Sequence, residues 1–477
     1  MPEDPFAACP PLAWVVQLDG NQTEEVHTVE LLPDGDIVVA GTCSSSPRIG
    51  LGAGQRLRPS QNFRDGFVAR LAPDGIARWW RTVGSSGMDE LPAMAVVEGS
   101  IWVMGSSELG GEGAPSRAGV AVDGEPVGPP PADESRNQFY ALELGLDGAP
   151  GRLRSVELQN GSGQSYLGGA TTDPYGNVYL SGESGKPGVL WVGDLTDGGN
   201  PYSSVFLASW DAEGRPRWLT TLGAEDTLAE PIQGLTWTEG KVQWPVQLRT
   251  GSRRAVARSS GGASRTLAFG EMQGGILAVD AETGEVLPLR FHTDTNWLQR
   301  LDVQPTGDRL AVLQMNADTR AWTDAEGTPR QLTGLGAPLA RIDADGAILD
   351  LQATDFGLRD ARGAALTADG MAAVGISEPI LPLAPGTPRE FQVPGDSVGL
   401  RDAVALTTGR NGTLQCVAWI HGPESADALD IVPLPVGGMV VVGKFQGTVT
   451  ISTPAGDQAT LTALGDEDGY IARFAAP

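Results

Sequence analysis

The chain has 477 residues, of which 65 are glycine and 35 are proline, and its formal net charge is −26. This length requires several domains or one repeat architecture, and the negative charge predicts no nucleic-acid partner because the phosphates would be repelled. No run of about 18 apolar residues occurs, so no membrane insertion is predicted. Residues Met1–Pro11 lack the basic and apolar regions of a signal peptide. These features are compatible with two locations, the cytoplasm and the cell exterior after removal of a leader.

The first predicted element is a strand at Ala13–Leu18, and two hairpins follow it. The first hairpin turns at Gly35, between the apolar run Val29–Leu32 and the run I-V-V-A-G. The second hairpin spans Asp65–Gly84 and reads D-G-F-V-A-R-L-A-P-D-G-I-A-R-W-W-R-T-V-G, with a Pro-Asp-Gly turn between its strands. A variable stretch of roughly twenty residues separates the two hairpins. We expect it to form loops or an extra hairpin.

The same pair of hairpins recurs to the end of the chain, with a period of about 67 residues. The alanine of F-V-A-R-L has equivalents at Ala69, Ala141, Ala208, Ala278, Ala340, Ala405 and Ala472. The first-hairpin turn glycine recurs at Gly35, Gly99, Gly176, Gly240, Gly307, Gly370 and Gly437, and a further glycine often stands six residues later, as at Gly41, Gly105, Gly182 and Gly443. Both markers predict seven repeats, at approximately residues 12–75, 76–148, 149–214, 215–284, 285–346, 347–412 and 413–477.

Seven four-stranded repeats are typical of a seven-bladed β-propeller. The sequence therefore predicts an all-β fold with four antiparallel strands per blade and a single domain over residues 1–477. The strand at Ala13–Leu18 has no partner strand before it, and the strand at Gly469–Phe474 has none after it. Pairing of these two strands would complete the last blade and close the ring.

The D-G-F-V-A-R-L strand, the W-x-x-x-x-G run and G-x-I-V-V-A-G together resemble the seven-bladed β-propeller repeat (SBBP repeat) family of bacterial secreted and surface proteins. The last repeat, from G-K-F-Q-G-T-V-T-I-S to D-E-D-G-Y-I-A-R-F, is most similar to the myxobacterial variants. The resemblance is strong in the first, second, third and seventh repeats. The others depart from it, as where Val246 replaces a glycine. It implies a propeller fold and a secreted or envelope location, and it implies no common enzymatic activity.

Acidic residues recur ten positions before the first-hairpin glycine, at Glu25, Asp89, Glu230, Asp360 and Asp427. In a propeller this position falls in the connection between blades, at one mouth of the central channel. The carboxylates could form a partial ring that holds a cation or a basic side chain. Alternatively each carboxylate caps its own turn or pairs with the next blade, and this alternative is favoured.

The densest polar cluster is His292, Asp294 and Asn296, from which a general acid–base pair could be drawn. With 3 histidines in the chain, a histidine-rich metal site is not predicted. The run Asp343–Asp350 lacks the spacing of a calcium loop. No cofactor and no metal are therefore predicted, with calcium kept as an alternative.

Three tryptophans, Trp14, Trp79 and Trp218, share one strand position, and we expect them to pack between neighbouring blades. The segment Gly275–Gly284 resembles one blade of the quinoprotein propellers. Pro288 stands where their tryptophan would follow, so quinone binding is not expected.

The cysteines are Cys9, Cys43 and Cys416, which are too scattered for a metal site or a disulfide framework. Three buried single cysteines are favoured over one disulfide plus a free thiol. The sequence does not specify which two would pair.

These features favour a non-catalytic binding or scaffold module of the bacterial envelope or exterior. We expect a monomeric ring that recognises an unknown protein or glycan through loops on one face. The long segments Ser45–Phe63 and Leu109–Ser135 are the expected contact regions. The alternative is a polysaccharide-active enzyme, a lyase or a glycosidase, with carboxylates converging at the channel mouth.

Overall fold

The computed structural model describes most of the chain and contains strands joined by turns. The described residues are 9–44, 46–49, 55–56, 64–85, 88–97, 99–108, 119–128, 136–159, 167–183, 189–196, 204–223, 228–231, 234–249, 254–268, 273–288, 298–303, 309–313, 319–323, 329–333, 339–342, 348–352, 358–367, 370–377, 402–409 and 413–475. Within these ranges no helix occurs, and so none is long and apolar enough to cross a membrane. The all-β prediction is confirmed for this part of the chain.

The chain divides into two compact units. The first unit comprises Met1–Thr82, Thr333–Leu339 and Leu351–Pro477, and the second comprises Val83–Leu332 and Ala340–Asp350. Each unit is built from antiparallel sheets and is described by itself.

Forty strands lie within the described ranges. The first seven are β1 (Leu12–Leu18), β2 (Glu24–Leu31), β3 (Ile37–Cys43), β4 (Arg48–Ile49), β5 (Gln55–Arg56), β6 (Asp65–Leu71) and β7 (Ala77–Gly84). They are followed by β8 (Met88–Val97), β9 (Ser100–Glu108), β10 (Ala121–Val122), β11 (Glu125–Pro126), β12 (Arg136–Gly145), β13 (Pro150–Gln159), β14 (Leu167–Thr172), β15 (Val178–Glu183), β16 (Val189–Val192), β17 (Leu195–Thr196), β18 (Ser204–Trp210) and β19 (Pro216–Gly223). Next come β20 (Leu228–Pro231), β21 (Thr236–Thr238), β22 (Lys241–Arg249), β23 (Arg254–Ser259), β24 (Ser264–Ala268), β25 (Gln273–Asp280), β26 (Leu298–Val303), β27 (Arg309–Leu313), β28 (Thr319–Thr323), β29 (Pro329–Thr333), β30 (Leu339–Ile342) and β31 (Ile348–Gln352). The last are β32 (Leu358–Thr367), β33 (Gly370–Ser377), β34 (Asp402–Gly409), β35 (Leu414–His421), β36 (Ala426–Pro433), β37 (Met439–Phe445), β38 (Thr448–Ser452), β39 (Gln458–Thr462) and β40 (Asp468–Phe474).

Strands that follow one another in the chain pair to form the sheets. Their central strand orders are β2-β3-β6-β7, β8-β9-β12-β13, β14-β15-β18-β19, β26-β27-β30-β31, β32-β33-β34-β35 and β36-β37-β40-β1. The fourth repeat differs, because its first strand is divided into β20 and β21, both paired with β22, and β25 is the last strand of its sheet among the described residues. The number of these sheets in the described part of the chain equals the number of predicted repeats, but the last strand of a sheet, such as β7 or β13, falls within the following predicted repeat.

Extra hairpins lie between the second and third strands of several repeats, as the sequence allowed. The hairpin β16–β17 pairs with β13, the last central strand of the sheet that begins with β8. In the same way β23–β24 pairs with β19, and β38–β39 pairs with β35. Each hairpin thus covers the outer edge of the preceding sheet, which would otherwise expose unpaired backbone groups.

The strand at the start of the chain pairs with the strand near its end. β1 runs antiparallel to β40, with Leu18 opposite Gly469 and Val15 opposite Ala472. This is the pairing expected from the incomplete first and last repeats. It joins residues from the two ends of the chain into one sheet of the first unit.

A β-bulge recurs in the first strand of the repeats and explains the second recurring glycine. In β2 the register shifts between Val26 and Thr28, opposite Gly41. A Cβ atom on Gly41 would overlap the carbonyl oxygen of Glu25, and one on Gly443 would overlap that of Asp427. The bulge pushes a carbonyl toward the second strand, so only glycine fits there.

The hydrophobic core lies between consecutive sheets within each unit. In the second unit, Tyr179, Val205 and Trp218 of the β14-β15-β18-β19 sheet pack with Trp244 and Leu277 of the sheet that contains β22 and β25. In the first unit, sixth- and seventh-repeat residues form one cluster, and seventh- and first-repeat residues form another. Burial of these faces against each other is the main favourable contribution to folding.

Trp218 and Trp14 each contact a turn of the neighbouring sheet, as expected for residues that pack between sheets. The Nε1 atom of Trp218 donates a hydrogen bond to the carbonyl oxygen of Ala281 at 3.1 Å, and its ring lies against Gly284. Trp14 donates in the same way to the carbonyl oxygen of Pro73 at 3.0 Å. The D-A-E-T-G turn therefore does receive a tryptophan, which comes from the preceding sheet.

The cysteines differ from the favoured expectation of three single thiols. Cys9 and Cys416 form a disulfide with a Cα–Cα distance of 5.2 Å, and Cys43 is a buried free thiol. Burial is the main cause that raises the pKa of Cys43, followed by the nearby carboxylates of Asp65 and Glu24. The sequence could not show the pairing because 407 positions separate the two bonded residues.

Candidate functional site

The recurring acidic residues lie inside strands, whereas the connection between repeats was expected. Glu25, Asp89 and Asp427 are the second residues of β2, β8 and β36, and Glu230 and Asp360 are the third residues of β20 and β32. An acidic residue interrupts the apolar pattern that signals a strand, but the backbone ladder continues through it. Glu25, for example, pairs with Thr42, and Asp427 pairs with Lys444.

Glu25 is the centre of a charged cluster in the first unit. Its side chain is 9% exposed, and its Oε2 atom contacts Nε2 of His27 at 2.9 Å. The guanidinium of Arg64 donates to the same oxygen and also, from Nε, to Oγ1 of Thr42 at 3.1 Å. We name Glu25, His27, Arg64, Lys444 and Glu467 the Glu25 cluster.

The far side of the Glu25 cluster comes from the last repeat. Nζ of Lys444 donates to Oε1 of Glu25 at 2.7 Å and to Oε2 of Glu467 at 3.1 Å. Gln446 donates from Nε2 to the other oxygen of Glu467 at 3.1 Å. The backbone N–H of Glu24 also donates to the carbonyl oxygen of Glu467 at 2.9 Å. Lys444 therefore joins carboxylates of the first and last repeats.

The surroundings of Glu25 keep its carboxyl group ionised. Burial alone would raise its pKa, but hydrogen bonds and charges from His27, Arg64 and Lys444 outweigh burial and hold the pKa far below its usual value. Burial lowers the pKa of Lys444, but its contacts with Glu25 and Glu467 outweigh burial and raise the pKa overall. Glu25 thus cannot donate a proton near neutral pH, and both of its oxygens are engaged.

Asp89 caps its own turn. Its Oδ2 atom accepts hydrogen bonds from the backbone N–H of Ser85 at 2.6 Å and from the Ser85 hydroxyl at 3.1 Å. Pairing across repeats at Glu25 and turn capping at Asp89 are the two forms of the favoured structural alternative. Each form occurs at one of the predicted positions.

Asp427 is positioned by contacts of its backbone. Its backbone carbonyl accepts a hydrogen bond from the hydroxyl of Tyr470 at 3.2 Å, and its register partner is Lys444. Its Oδ1 atom is buried and accepts no hydrogen bond within the described part of the chain. Lys444 is therefore the residue that links the Asp427 and Glu25 positions.

The other predicted site residues contribute no side-chain geometry. The backbone of Glu230 pairs with Gln247, and the backbone of Asp360 pairs with Ile376. For these two residues the structure describes the backbone alone. His292, Asp294 and Asn296 also lie outside the described residues. In the part of the chain that is described, no group of three or more His, Cys, Asp and Glu side chains is arranged to hold a metal ion.

A second recurring carboxylate was missed by sequence reasoning. Asp65, Asp402 and Asp468 begin the third strand of the first, sixth and seventh repeats and are all buried. Oδ2 of Asp468 accepts hydrogen bonds from Nε2 of Gln17 at 2.6 Å and from the backbone N–H of Leu464 at 3.2 Å. The signal was available as the aspartate that precedes G-F-V-A-R and G-Y-I-A-R. Its contacts at Asp468 indicate a structural role.

Comparison with known proteins identifies no family for this chain. No protein-family model matches it, and no curated protein does. Among solved structures, a xylan β-1,4-xylosidase from Bacillus halodurans is 10% identical, with a TM-score of 0.27 and coverage of 96% of both chains. A luciferin-regenerating enzyme is 12% identical, with a TM-score of 0.22 and coverage of 70% of this chain and 99% of that one.

Proposed function

We propose that the chain is a single seven-bladed β-propeller of the SBBP repeat type that acts as a non-catalytic binding or scaffold module. The repeated strand order, the hydrophobic clusters between consecutive sheets and the β1–β40 pairing support this architecture. In such a fold a rigid framework positions variable loops, and these loops provide recognition.

The observation that carries the non-catalytic assignment is the state of Glu25. An acid–base pair needs one carboxyl group that exchanges a proton near neutral pH. Glu25 is held ionised and engaged by His27, Arg64 and Lys444, and Asp89 is engaged by Ser85. These two positions therefore serve the structure of the framework.

We place the protein in the bacterial envelope or exterior. The support is the buried disulfide between Cys9 and Cys416, because such bonds persist in oxidising compartments and are rare in the cytosol. Export of the chain to the periplasm of a bacterial host should leave one alkylatable thiol after denaturation, that of Cys43. Three alkylatable thiols in that export experiment would contradict this location.

The expected ligand is a glycan or a protein that contacts the segments 45–63 and 109–135, most of which lie outside the described residues. A panel of bacterial polysaccharides tests the glycan arm, with binding followed by calorimetry and turnover by reducing-end release and by absorbance of unsaturated products. We expect binding without turnover. Replacement of residues 109–118 by a Gly/Ser segment of equal length should weaken binding, whereas Tyr175→Ser in an exposed turn should not.

The polysaccharide-enzyme alternative makes the opposite prediction in the same assay. It requires turnover that disappears in Asp427→Asn and persists in Thr460→Ala, a change on the outer strand β39. That pattern would replace the binding-module proposal. If neither the replacement of residues 109–118 nor Tyr175→Ser weakens binding, the ligand must contact another surface of the protein.

A further inference from the structure

Strand β1 is the outermost strand of its sheet and is held mainly by one ladder of backbone hydrogen bonds to β40. Val16 and Leu18 are its buried side chains, with exposures of 2% and 0%. Gln17 adds the hydrogen bond to Asp468 at 2.6 Å. A strand in this position can separate more easily than a central strand, because a single ladder has to open.

The disulfide ties the start of β1 to a different sheet of the same unit. Cys9 lies just before β1, and Cys416 belongs to β35, whereas β1 pairs with β40. The residues between Cys9 and β1 are Pro10 and Pro11, whose rings fix their φ angles and make the tether stiff. While the bond is intact, β1 stays close to the edge of β40 at a high effective concentration.

Loss of β1 would leave β40 as an open edge. A second copy of the chain carries the same strand, which can form the same ladder and bury the same side chains. The segment Asp19–Thr23 joins β1 to β2 and is the point at which the exchanged strand would diverge. Exchange preserves the contacts of β1, so the protein concentration decides between the closed and exchanged forms.

We infer that the Cys9–Cys416 disulfide keeps β1 in its own chain, and that chains without this bond exchange β1 to form dimers with a second copy. The structure supports this through the position of the bond, which secures the one strand whose partner lies at the other end of the sequence. The inference does not depend on the ligand of the protein.

A pair of complementary variants tests the exchange directly. Both carry Cys43→Ala; one adds Cys9→Ser and the other Cys416→Ser. In a mixture, the Cys9–Cys416 bond can form only between the two chains, and it requires the β1 region of one chain to occupy the other. After oxidation with glutathione disulfide, we expect a covalent dimer containing that linkage by peptide mass spectrometry, with a yield that rises with protein concentration.

The controls separate exchange from random crosslinking. Each variant oxidised alone should not give this linkage, and Cys43→Ala alone should stay monomeric with an intact intrachain bond. Folded variants that give no mixed Cys9–Cys416 dimer at any concentration would overturn the inference.

A second measurement uses the unaltered chain, in case the variants do not fold. A dithiol reduces the bond by giving it two electrons, the two cysteine sulfurs take up protons, and the dithiol becomes a disulfide. After the dithiol is removed, oxidation by glutathione disulfide, which is reduced to two molecules of glutathione, should give covalent dimers linked by Cys9 and Cys416 at high protein concentration and monomers at low concentration. Monomers alone at every concentration would reject the exchange.

Discussion

Replacement of Glu25 by glutamine should destabilise the protein by about 3 kcal/mol at pH 7. Loss of one partner from a buried ion pair costs about 3–5 kcal/mol, because the other charge stays buried without compensation. The lower end applies here, since the side chains of Arg64 and Lys444 are 26% and 24% exposed and so keep some hydration. Urea unfolding followed by tryptophan fluorescence and by circular dichroism measures the change, and agreement of the two probes checks that one transition is observed.

The stability difference between wild type and Glu25→Gln should decrease as the pH falls. The pKa of Glu25 is lowered in the folded protein, so its contribution is complete above the usual value of 4.5 and is lost as the pH falls below it. The loss is about 1.4 kcal/mol per pH unit, so the difference between wild type and Glu25→Gln should shrink to about 1 kcal/mol at pH 3. Other carboxylates titrate in both proteins and cancel in the difference.

Two controls make the test specific to Glu25. Asp34→Asn removes a pair whose carboxylate is 54% exposed, and it should change the free energy of unfolding by less than about 0.5 kcal/mol. Lys444→Met added to Glu25→Gln should not restore the full stability, because it removes the charge of Lys444 but also takes the ion-pair partner away from Glu467. If Glu25→Gln lowers the free energy of unfolding equally at pH 7 and pH 3, or at neither pH, Glu25 is not an ionised partner in a buried ion pair.

Three further changes test the sheet contacts by urea unfolding. Trp218→Ala should cost about 3–5 kcal/mol and Trp218→Phe about 1 kcal/mol, since phenylalanine keeps the packing and loses only the hydrogen bond to Ala281; equal losses would deny that the ring packs between sheets. Gly41→Ala should cost about 1–3 kcal/mol by overlap, whereas Gly261→Ala, whose nearest atom would be 3.9 Å away, should stay within about 0.5 kcal/mol. Asp468→Asn should cost less than about 1 kcal/mol, because burial already raises the pKa of this carboxyl group; a loss as large as that of Glu25→Gln would show that its charge is needed.

The repeats could be predicted from sequence because their spacing follows from local backbone geometry. Most of the described turn glycines have positive φ angles, such as 86° at Gly35 and 90° at Gly437, although Gly370 does not, and Gly41 is required by the bulge opposite it. The alanine marker was less exact. In the first repeat Ala69 pairs with Val39, four residues after the turn glycine Gly35. In the second repeat the matching residue, Val103, pairs with Leu142 and not with Ala141. Its register slipped because apolar residues occupy both positions and only pairing distinguishes them.

The Glu25 cluster could not be predicted in the same way. Its acidic position was visible, but Lys444 approaches from a strand more than four hundred residues away, and Arg64 follows a variable segment. The repeat pattern predicted the same role for Asp360, Asp427 and Glu25. The contacts of Glu25, however, depend on basic residues at positions that are not repeated. Charge partners of this kind are set by tertiary contacts, which the repeat pattern does not encode.

The interlocking of neighbouring repeats has a consequence for synthesis of the chain. The sheet that begins at Met88 receives its outer strands from Val189–Thr196, which belong to the following repeat. On a ribosome such a sheet must therefore wait for the following repeat before its edge is covered. The strand at Leu12–Leu18 waits longest, because its place opens only after residue 474 has been made. Protection of that early strand from other partners is thus a requirement of translation as much as of the finished fold.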